Sequence, residues 1–157
     1  MNFVSLSSPE ENRELPQSEP SGMEAQDCVI LVVDDDPAMR SLLHDVLCDR
    51  GCQVVEAADA EEARVQIRYQ HPQVVIADLN MPGGGFAFIR ELRVLVPSCR
   101  IILITAFGTA QTKVQAQEHG VAAYLEKPVR MANLKAAVCQ ACPLNQLLLC
   151  KQTDEHP

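Results

Sequence analysis

The feature that most constrains this chain is a series of five short, mostly aliphatic runs separated by segments with helical periodicity. Runs of this kind are typical of parallel strands that are buried on both faces. The predicted strands are "VILVV" (29–33), "QVVEA" (53–57), "QVVIA" (73–77), "RIILI" (100–104) and "AAYL" (122–125). The predicted helices lie near 37–50, 60–70, 86–95, 109–119 and 130–142.

The alternation of strands and helices predicts a parallel sheet with helices on both of its faces. Because crossovers between parallel strands are right-handed, the simplest topology is a doubly wound α/β fold. We therefore predict a three-layer domain with a five-stranded parallel sheet over residues 28–143.

The segments that flank this domain have a different composition. Residues 1–27 are rich in Ser, Pro, Glu and Gln and poor in aliphatic side chains, so we expect a disordered tail. Residues 144–157 are too few for a DNA-binding or catalytic output domain, and we expect the output to be a binding event. Leu147–Leu149 either pack back on the core, which we favour, or face a partner.

Composition excludes several functional classes. The chain has 157 residues, 47% hydrophobic content and a net charge of -8, which suits one globular domain with tails. Its thirteen basic residues are scattered among twenty-one acidic ones, so direct binding to nucleic acid is not expected. The chain also has no apolar stretch of about 18 residues and no secretory signal, so we expect a cytoplasmic protein with no membrane span.

The seven cysteines show no disulfide framework, and most lie in or beside apolar segments. We expect them to be reduced and to pack as small apolar side chains. Cys139 and Cys142 have the C-x-x-C spacing of a metal-binding or redox pair. Because the sequence near them holds no second pair and no histidine, we favour packing over a metal or redox role.

Polar residues follow the predicted strands at the ends where functional sites of such sheets collect. Asp34 and Asp35 follow the first strand, Asp78 the third, Thr105 the fourth and Lys127 the fifth. Three neighbouring carboxylates would raise one another's pKa values unless a cation lies between them. A cluster of hard oxygen ligands suits Mg²⁺, so the sequence predicts a magnesium site at this edge of the sheet.

The two remaining residues at this edge suggest chemistry beyond metal binding. The hydroxyl of Thr105 and the ammonium of Lys127 are donors that could hold the oxygens of a phosphoryl group. An aspartate is ionised at neutral pH, and it can attack phosphorus without a separate base. The pattern therefore indicates phosphoryl transfer to a carboxylate.

Four motifs resemble the receiver domains of bacterial two-component response regulators: "VVDDDP", "ADLNMP", "ITA" and "YLEKP", in that order, within about Cys28 to Pro143. The resemblance implies a flavodoxin-like, CheY-like (βα)5 fold. It also implies that Asp78 is the phosphoacceptor and that Mg²⁺ is held by Asp34, Asp35, Asp78 and the backbone carbonyl of Asn80.

The same resemblance assigns roles to the later motifs. Thr105 and Lys127 would hold the phosphoryl oxygens, and Lys127 would precede Pro128 through a cis peptide bond. Tyr124 occupies the position of an aromatic switch, and the small Ala106 would leave its ring space to turn inward. The implied donor is a sensor histidine kinase or a histidine phosphotransfer protein. The implied target surface is the face of the fourth helix, fifth strand and fifth helix.

Several residues have a second interpretation. Asp36, before Pro37, is better explained as a helix N-cap than as a metal ligand. Tyr124 is either a switch or a packed aromatic residue of an edge strand. Phe107 either screens the phosphorylated site from water or is a surface aromatic residue. The glycines at 83–85 form a loop that is shorter than usual for such domains and for which we expect mobility.

Two other functions are weighed against a receiver. A Mg²⁺-dependent phosphohydrolase with an aspartyl-phosphate nucleophile needs a second acid two residues after the nucleophile, and that residue here is Asn80. A degenerate receiver that acts only as a scaffold would not need the complete set of five polar residues. We therefore expect a phosphoacceptor that is not a turnover enzyme on small substrates.

Overall fold

The computed structural model describes residues 28–48 and 52–142 of the chain. Within these residues five strands alternate with five helices. The strands are β1 (Val29–Val33), β2 (Gln53–Ala57), β3 (Val74–Asp78), β4 (Arg100–Thr105) and β5 (Ala123–Glu126). The helices are α1 (Pro37–Cys48), α2 (Ala60–Gln70), α3 (Phe86–Leu95), α4 (Ala110–Glu118) and α5 (Met131–Ala141).

The five strands form one parallel sheet in the order β2-β1-β3-β4-β5. The chain first builds outward from β1 to β2 and then crosses to β3 on the other side of β1. The direction of winding therefore reverses between β1 and β3, and loops diverge from the carboxyl ends of those two strands. This confirms the predicted doubly wound α/β fold, with strand ends that differ from the prediction by at most one residue.

The core lies in two layers, one on each face of the sheet. β1 and β3 are buried along their whole length, and β4 is buried from Ile101 onward. Helices α1 and α5 cover one face with buried side chains that include Leu43, Leu47, Leu134 and Val138. Helices α2, α3 and α4 cover the other face. The central strands are thus sealed from water on both sides, so polar groups reach solvent at the strand ends.

Side chains cap the helices near the carboxyl ends of the strands. The Asp36 carboxylate accepts a hydrogen bond from the backbone N–H of Ala38 at 3.0 Å, and its carbonyl accepts from Arg40 N–H at 3.1 Å. The predicted N-cap role of Asp36 is therefore confirmed. At α4, Thr109 and Thr112 form a reciprocal capping box, in which each side-chain oxygen accepts from the other residue's backbone N–H.

Helix α4 attaches to the sheet through a small residue. Val114 is 51% exposed, and Ala116 is the buried residue of this helix. Positions two residues apart lie on nearly opposite sides of a helix, so these two side chains cannot share a face. Because alanine buries little apolar surface, α4 is held by a small contact area.

The glycine loop after β3 requires glycine for backbone reasons at two positions. Gly83 and Gly85 have φ angles of +74° and +87°, which side chains rarely adopt. Gly85 is the residue immediately before α3. The mobility that we expect for this loop stays a prediction.

The expectation that the cysteines are reduced is wrong for Cys28 and Cys142, which the structure joins in a disulfide. The two residues are 114 positions apart in sequence, and only the packing of α5 beside β1 brings them together.

Three expectations lie outside the described residues: the tail at 1–27, the extension at 144–157 with Leu147–Leu149, and the end of the first helix beyond residue 48. Among the residues that the structure does describe, no helix has the length and apolar content needed to cross a membrane.

Candidate functional site

Five polar residues lie at the carboxyl ends of the strands, and we call this group the acid edge: Asp34, Asp35, Asp78, Thr105 and Lys127. Asp34 follows β1, Asp78 is the last residue of β3, and Thr105 is the last residue of β4. Lys127 follows β5 directly. Asp34, Asp78 and Thr105 are buried, whereas Asp35 is exposed. The predicted convergence of these residues at one edge is therefore observed.

Lys127 lies between the two buried carboxylates. Its Nζ donates to Oδ2 of Asp34 at 3.1 Å and to Oδ2 of Asp78 at 3.2 Å. Its backbone N–H donates to the carbonyl of Thr105 at 2.8 Å, which fixes the start of the loop after β5 against β4. The peptide bond between Lys127 and Pro128 is cis, as the resemblance implied. One ammonium thus partly neutralises two buried acids.

The second oxygen of each buried carboxylate is held by a backbone N–H two residues later. Oδ1 of Asp34 accepts from Asp36 N–H at 2.9 Å, and Oδ1 of Asp78 accepts from Asn80 N–H at 2.9 Å. The guanidinium of Arg40 donates to the carbonyl oxygen of Asp34 at 2.7 Å. Both carboxylates are therefore oriented before any ligand arrives.

Burial and charge shift two pKa values at this edge. Burial raises the pKa of Asp34, and the Asp36 N–H and the Lys127 ammonium oppose this shift without cancelling it. Burial alone would lower the pKa of Lys127, but its contacts with Asp34 and Asp78 outweigh burial and raise it. Lys127 is consequently a cation throughout the neutral pH range.

The acidic residues suit a hard divalent cation. Asp34, Asp35 and Asp78 each offer a carboxylate oxygen, and these oxygens lie within 4.8 Å of one another. Three carboxylates face one ammonium, so the edge keeps an excess of negative charge. Oxygen ligands with one exposed member, which leaves access for water, match the preference of Mg²⁺. The contribution of the Asn80 backbone carbonyl stays a prediction.

Thr105 already has two hydrogen-bond partners. Its hydroxyl donates to the side-chain oxygen of Asn80 at 2.6 Å and accepts from the backbone N–H of Phe107 at 3.1 Å. The sequence pointed to the backbone of Asn80 and missed this role of its side chain. Phe107 itself is 73% exposed, so in this structure it is a surface aromatic residue. To bind a phosphoryl oxygen, the Thr105 hydroxyl must leave Asn80.

Tyr124 connects β5 to the start of α4. The ring is half-buried against the core layer under α4, and its hydroxyl lies 2.9 Å from Oγ1 of Thr112. A Cβ at Gly108 would lie 2.5 Å from Oε2 of Glu126 and 2.7 Å from the same hydroxyl, so a larger residue at that position would require these side chains to shift. Ala106 is exposed beside this loop. Nothing in the sequence spacing pointed to Thr112 or Gly108 as neighbours of Tyr124.

A family comparison agrees with this geometry. The family model described as "Response regulator receiver domain" matches residues 30–139, which is more than half of the chain. The chain belongs to this family. The receiver region thus covers every element from β1 into α5 and includes the whole acid edge.

Two curated relatives show how such receivers occur. The receiver is 29% identical to sporulation initiation phosphotransferase F of Bacillus subtilis (strain 168) over 73% of this chain and 94% of that protein. It is 32% identical to the sensor histidine kinase RcsC of Escherichia coli (strain K12), over 85% of this chain but 14% of that protein. The chain therefore spans nearly all of one relative and a small part of the other.

A solved structure has the same architecture. The response regulator receiver protein from Pseudomonas putida superposes with a TM-score of 0.68 at 34% identity. The superposition covers 72% of this chain and 96% of that one.

Proposed function

We propose that this receiver accepts a phosphoryl group on Asp78 from a sensor histidine kinase or a histidine phosphotransfer protein. The observation that carries the proposal is the buried Asp78 carboxylate, bonded to the Lys127 ammonium and set beside two further carboxylates. The receiver then signals by phosphorylation-dependent protein binding or passes the group on in a relay. It is a phosphoacceptor, and it does not turn over small substrates.

The transfer step uses Asp78 as the nucleophile. A carboxylate oxygen of Asp78 attacks the phosphorus of a phosphohistidine, an O–P bond forms and the N–P bond breaks, and the imidazole nitrogen departs with the bonding electron pair. No base is needed because the attacking oxygen carries its negative charge already. The Asn80 N–H and Lys127 Nζ hold the two carboxylate oxygens, so the attack geometry is set by the fold.

Lys127 and Thr105 stabilise the charge that arrives with the phosphoryl group. The ammonium of Lys127 already lies next to Asp78, and it can swing from Asp34 toward a phosphoryl oxygen over a short distance. The Thr105 hydroxyl can donate to a second phosphoryl oxygen once it releases Asn80. Donors of this kind are each worth about 100-fold or more in the rate of a charged step.

Mg²⁺ is the proposed cofactor, with Asp34, Asp35, Asp78 and the Asn80 carbonyl as the residues that would hold it. When bound, it supplies positive charge that offsets the repulsion between these carboxylates and an incoming phosphoryl group.

We propose that signal output begins with a movement of the Thr105 hydroxyl. If that hydroxyl moves toward a phosphoryl group, the loop at Ala106 to Gly108 moves with it, and the Tyr124 ring beneath the loop can turn inward beside Ala106. The bond between Tyr124 and Thr112 would break, and α4, anchored mainly by Ala116, would shift. The face formed by α4, β5 and α5 is therefore the proposed surface for a downstream protein target.

The proposed partners are proteins, with no direct contact to nucleic acid and no membrane. Among the relatives, one is named a phosphotransferase and another a sensor histidine kinase, which supports a place in a phosphorelay. A cytoplasmic location is proposed as well, in agreement with the sequence, which predicts no membrane span and no secretory signal. The phosphohydrolase alternative has no support at position 80, because the amide of Asn80 cannot donate a proton to a leaving group as an acid does.

The deciding experiment is intact-mass measurement after incubation with acetyl phosphate and Mg²⁺. We expect a mass gain of one phosphoryl group in the wild-type chain and none in Asp78→Asn, whose amide has the same shape but is a poor nucleophile. Asp45→Asn, an exposed aspartate of α1, is the matched control and should label normally. Equal labelling of Asp78→Asn and the wild type would refute the assignment.

A further inference from the structure

An open groove runs between α2 and α3 and continues to the loops that lead into β3 and β4. Its first part lies between the two helices and has a volume of about 430 Å³. Its second part lies between the two loops and has a volume of about 400 Å³. His71, Leu95 and Val96 line both parts, so the two parts form one continuous surface, which we call the α2–α3 groove.

The groove has an apolar floor and a basic rim. Ile67 is buried at the floor, and Leu95 is 48% exposed there although its side chain is large and apolar. Arg64 on the rim is bonded to Glu91, so its charge is largely neutralised. Arg68 is exposed on the same rim, and among residues 28–48 and 52–142 it forms no ion pair. This surface suits a ligand with both acidic and apolar side chains.

A second exposed arginine lies at the same end of the sheet. Arg100 begins β4, and its backbone N–H donates to the carbonyl of Gln73, which lines the groove, at 2.9 Å. Within the part of the chain that the structure describes, Arg100 likewise has no carboxylate partner. Two unneutralised guanidinium groups therefore border the groove.

The chain enters the sheet beside this groove. The Val29 N–H donates to Oε1 of Gln73 at 2.6 Å, and the Gln73 N–H donates to the Val29 carbonyl at 2.9 Å. The residues that precede β1 are therefore tethered at the groove wall. Ten residues of extended chain span about 33 Å, whereas the stretch of α2 from Arg64 to His71 is only about 10 Å long. A short part of this segment is enough to cover the groove.

The charge of the N-terminal segment matches the groove. Residues 1–27 contain six acidic residues and one arginine, and Leu15 and Met23 lie among the acidic residues. Residues 143–157 contain two acidic residues and one lysine, so they match two arginines less well. Charge complementarity and the point of attachment thus both favour the N-terminal segment as the occupant.

We propose that the acidic segment 10–27 docks into the α2–α3 groove of its own chain. Its carboxylates contact Arg68 and Arg100, and an apolar side chain covers the floor. Weak affinity is sufficient, because a short tether gives an effective concentration in the millimolar range. Exposed ion pairs contribute little singly, so docking depends on several contacts and weakens with salt. The docked segment closes the groove to other proteins and leaves the acid edge, at the opposite ends of the strands, open.

The test is cross-linking of the full-length Arg68→Lys variant with a zero-length carbodiimide, which joins an amine to a carboxylate only at contact distance. The substitution keeps the positive charge and supplies the amine. We expect bonds within one chain from position 68 to glutamates of residues 10–24. These bonds should be lost in about 1 M salt, where charges are screened beyond about 3 Å. Arg130→Lys, an exposed position directly before α5, is the matched control and should form no bonds to these glutamates.

Amide chemical shifts of the full-length chain give a second readout that needs no substitution in the groove. Replacement of the five glutamates of residues 10–24 by glutamine should shift the signals of residues 67–73 and 95–100. Glu118→Gln, exposed on α4, is the control and should leave those signals in place.

Several results would overturn the proposal. One is a glutamine variant whose groove signals equal those of the wild type. Another is the absence of bonds from position 68 to residues 10–24. Bonds from that position only to residues 143–157 would make the C-terminal extension the occupant. Bonds only between chains, in a mixture of light and heavy isotope-labelled protein, would make a second copy the occupant.

Discussion

The two ends of β1 lie in different surroundings. Cys28, directly before the strand, is fully buried and joined to Cys142, whereas Asp34, directly after it, belongs to the acid edge. These two residues are about 20 Å apart along an extended strand. The chain opens to water at the acid edge, through the exposed Asp35. One buried strand thus ends in a closed apolar setting on one side and in an open polar setting on the other.

The two ends also differ in how they are held together. At the acid edge three carboxylates surround one ammonium, and one of the carboxylates is exposed. At the Cys28 end a disulfide joins the start of β1 to the end of α5, and apolar side chains pack around it. We therefore expect substitutions at the acid edge to leave the Cys28 end unchanged.

The largest effect should come from Lys127→Met. Methionine keeps the length of the side chain but removes its charge, and the initial rate of phosphorylation by acetyl phosphate should fall on the order of 100-fold. Lys113→Met, on the exposed side of α4, is the control and should label at the wild-type rate. A wild-type rate in Lys127→Met would mean that the ammonium takes no part in transfer.

A smaller effect is expected from Mg²⁺ on stability. Binding should stabilise the folded chain by about 1 to 2 kcal/mol at several-fold saturation. Thermal or urea unfolding should show this gain in the wild type and much less of it in Asp35→Asn. A melting temperature that does not change with Mg²⁺ would contradict the metal site at the acid edge.

Ala106→Leu should separate phosphorylation from its consequence. The added bulk fills the space proposed for the Tyr124 ring, so labelling of Asp78 should stay nearly unchanged while target binding loses about 1 kcal/mol of coupling, roughly fivefold. Amide hydrogen exchange in α4, with and without acetyl phosphate, reports the same coupling without a target. Ala106→Gly is the control. A variant that responds as the wild type does would show that this route is absent.

The smallest effect concerns an ion pair between α2 and α3, away from the acid edge. Glu91 of α3 accepts from Arg64 of α2 at 2.6 and 3.0 Å, and this bond lowers the pKa of Glu91 below its ordinary value of 4.5. A lowered carboxyl pKa adds stability above pH 4.5, and that stability is lost as the pH falls through the lowered value.

Because both side chains are about a third exposed, Glu91→Gln should cost less than about 1 kcal/mol at pH 7. The difference from the wild type should shrink as the solution is made more acidic than pH 4.5, as urea unfolding across a pH series can show. Glu118→Gln, at an exposed position of α4, serves as the control. A difference in the free energy of unfolding that grows as the pH falls would contradict a stabilising role of the ionised Glu91 carboxylate.

The acid edge could be predicted from sequence because each of its residues is tied to a strand end. Once the runs at 29–33, 73–77 and 100–104 are interpreted as parallel strands, the residues after them must meet at one edge. The disulfide between Cys28 and Cys142 was missed because these residues are 114 positions apart, and their meeting depends on the docking of α5.

Other misses have similarly local causes. Helical position decides that Ala116 is buried and the larger Val114 is exposed, which hydrophobicity alone does not predict. The bond from Tyr124 to Thr112 depends on how α4 begins over β5, and the bond from Thr105 to Asn80 depends on a side-chain orientation that no spacing encodes.

The placement of Tyr124 has an optical consequence. The chain contains no tryptophan and two tyrosines, Tyr69 and Tyr124. Tyr69 is 71% exposed on α2, far along the chain from the loop over Tyr124. In a Tyr69→Phe variant the ultraviolet fluorescence comes from a single phenol ring, whose hydroxyl is bonded to Thr112 in this structure. The protein thus carries its own unlabelled reporter, whose emission follows the surroundings of the proposed switch residue in real time.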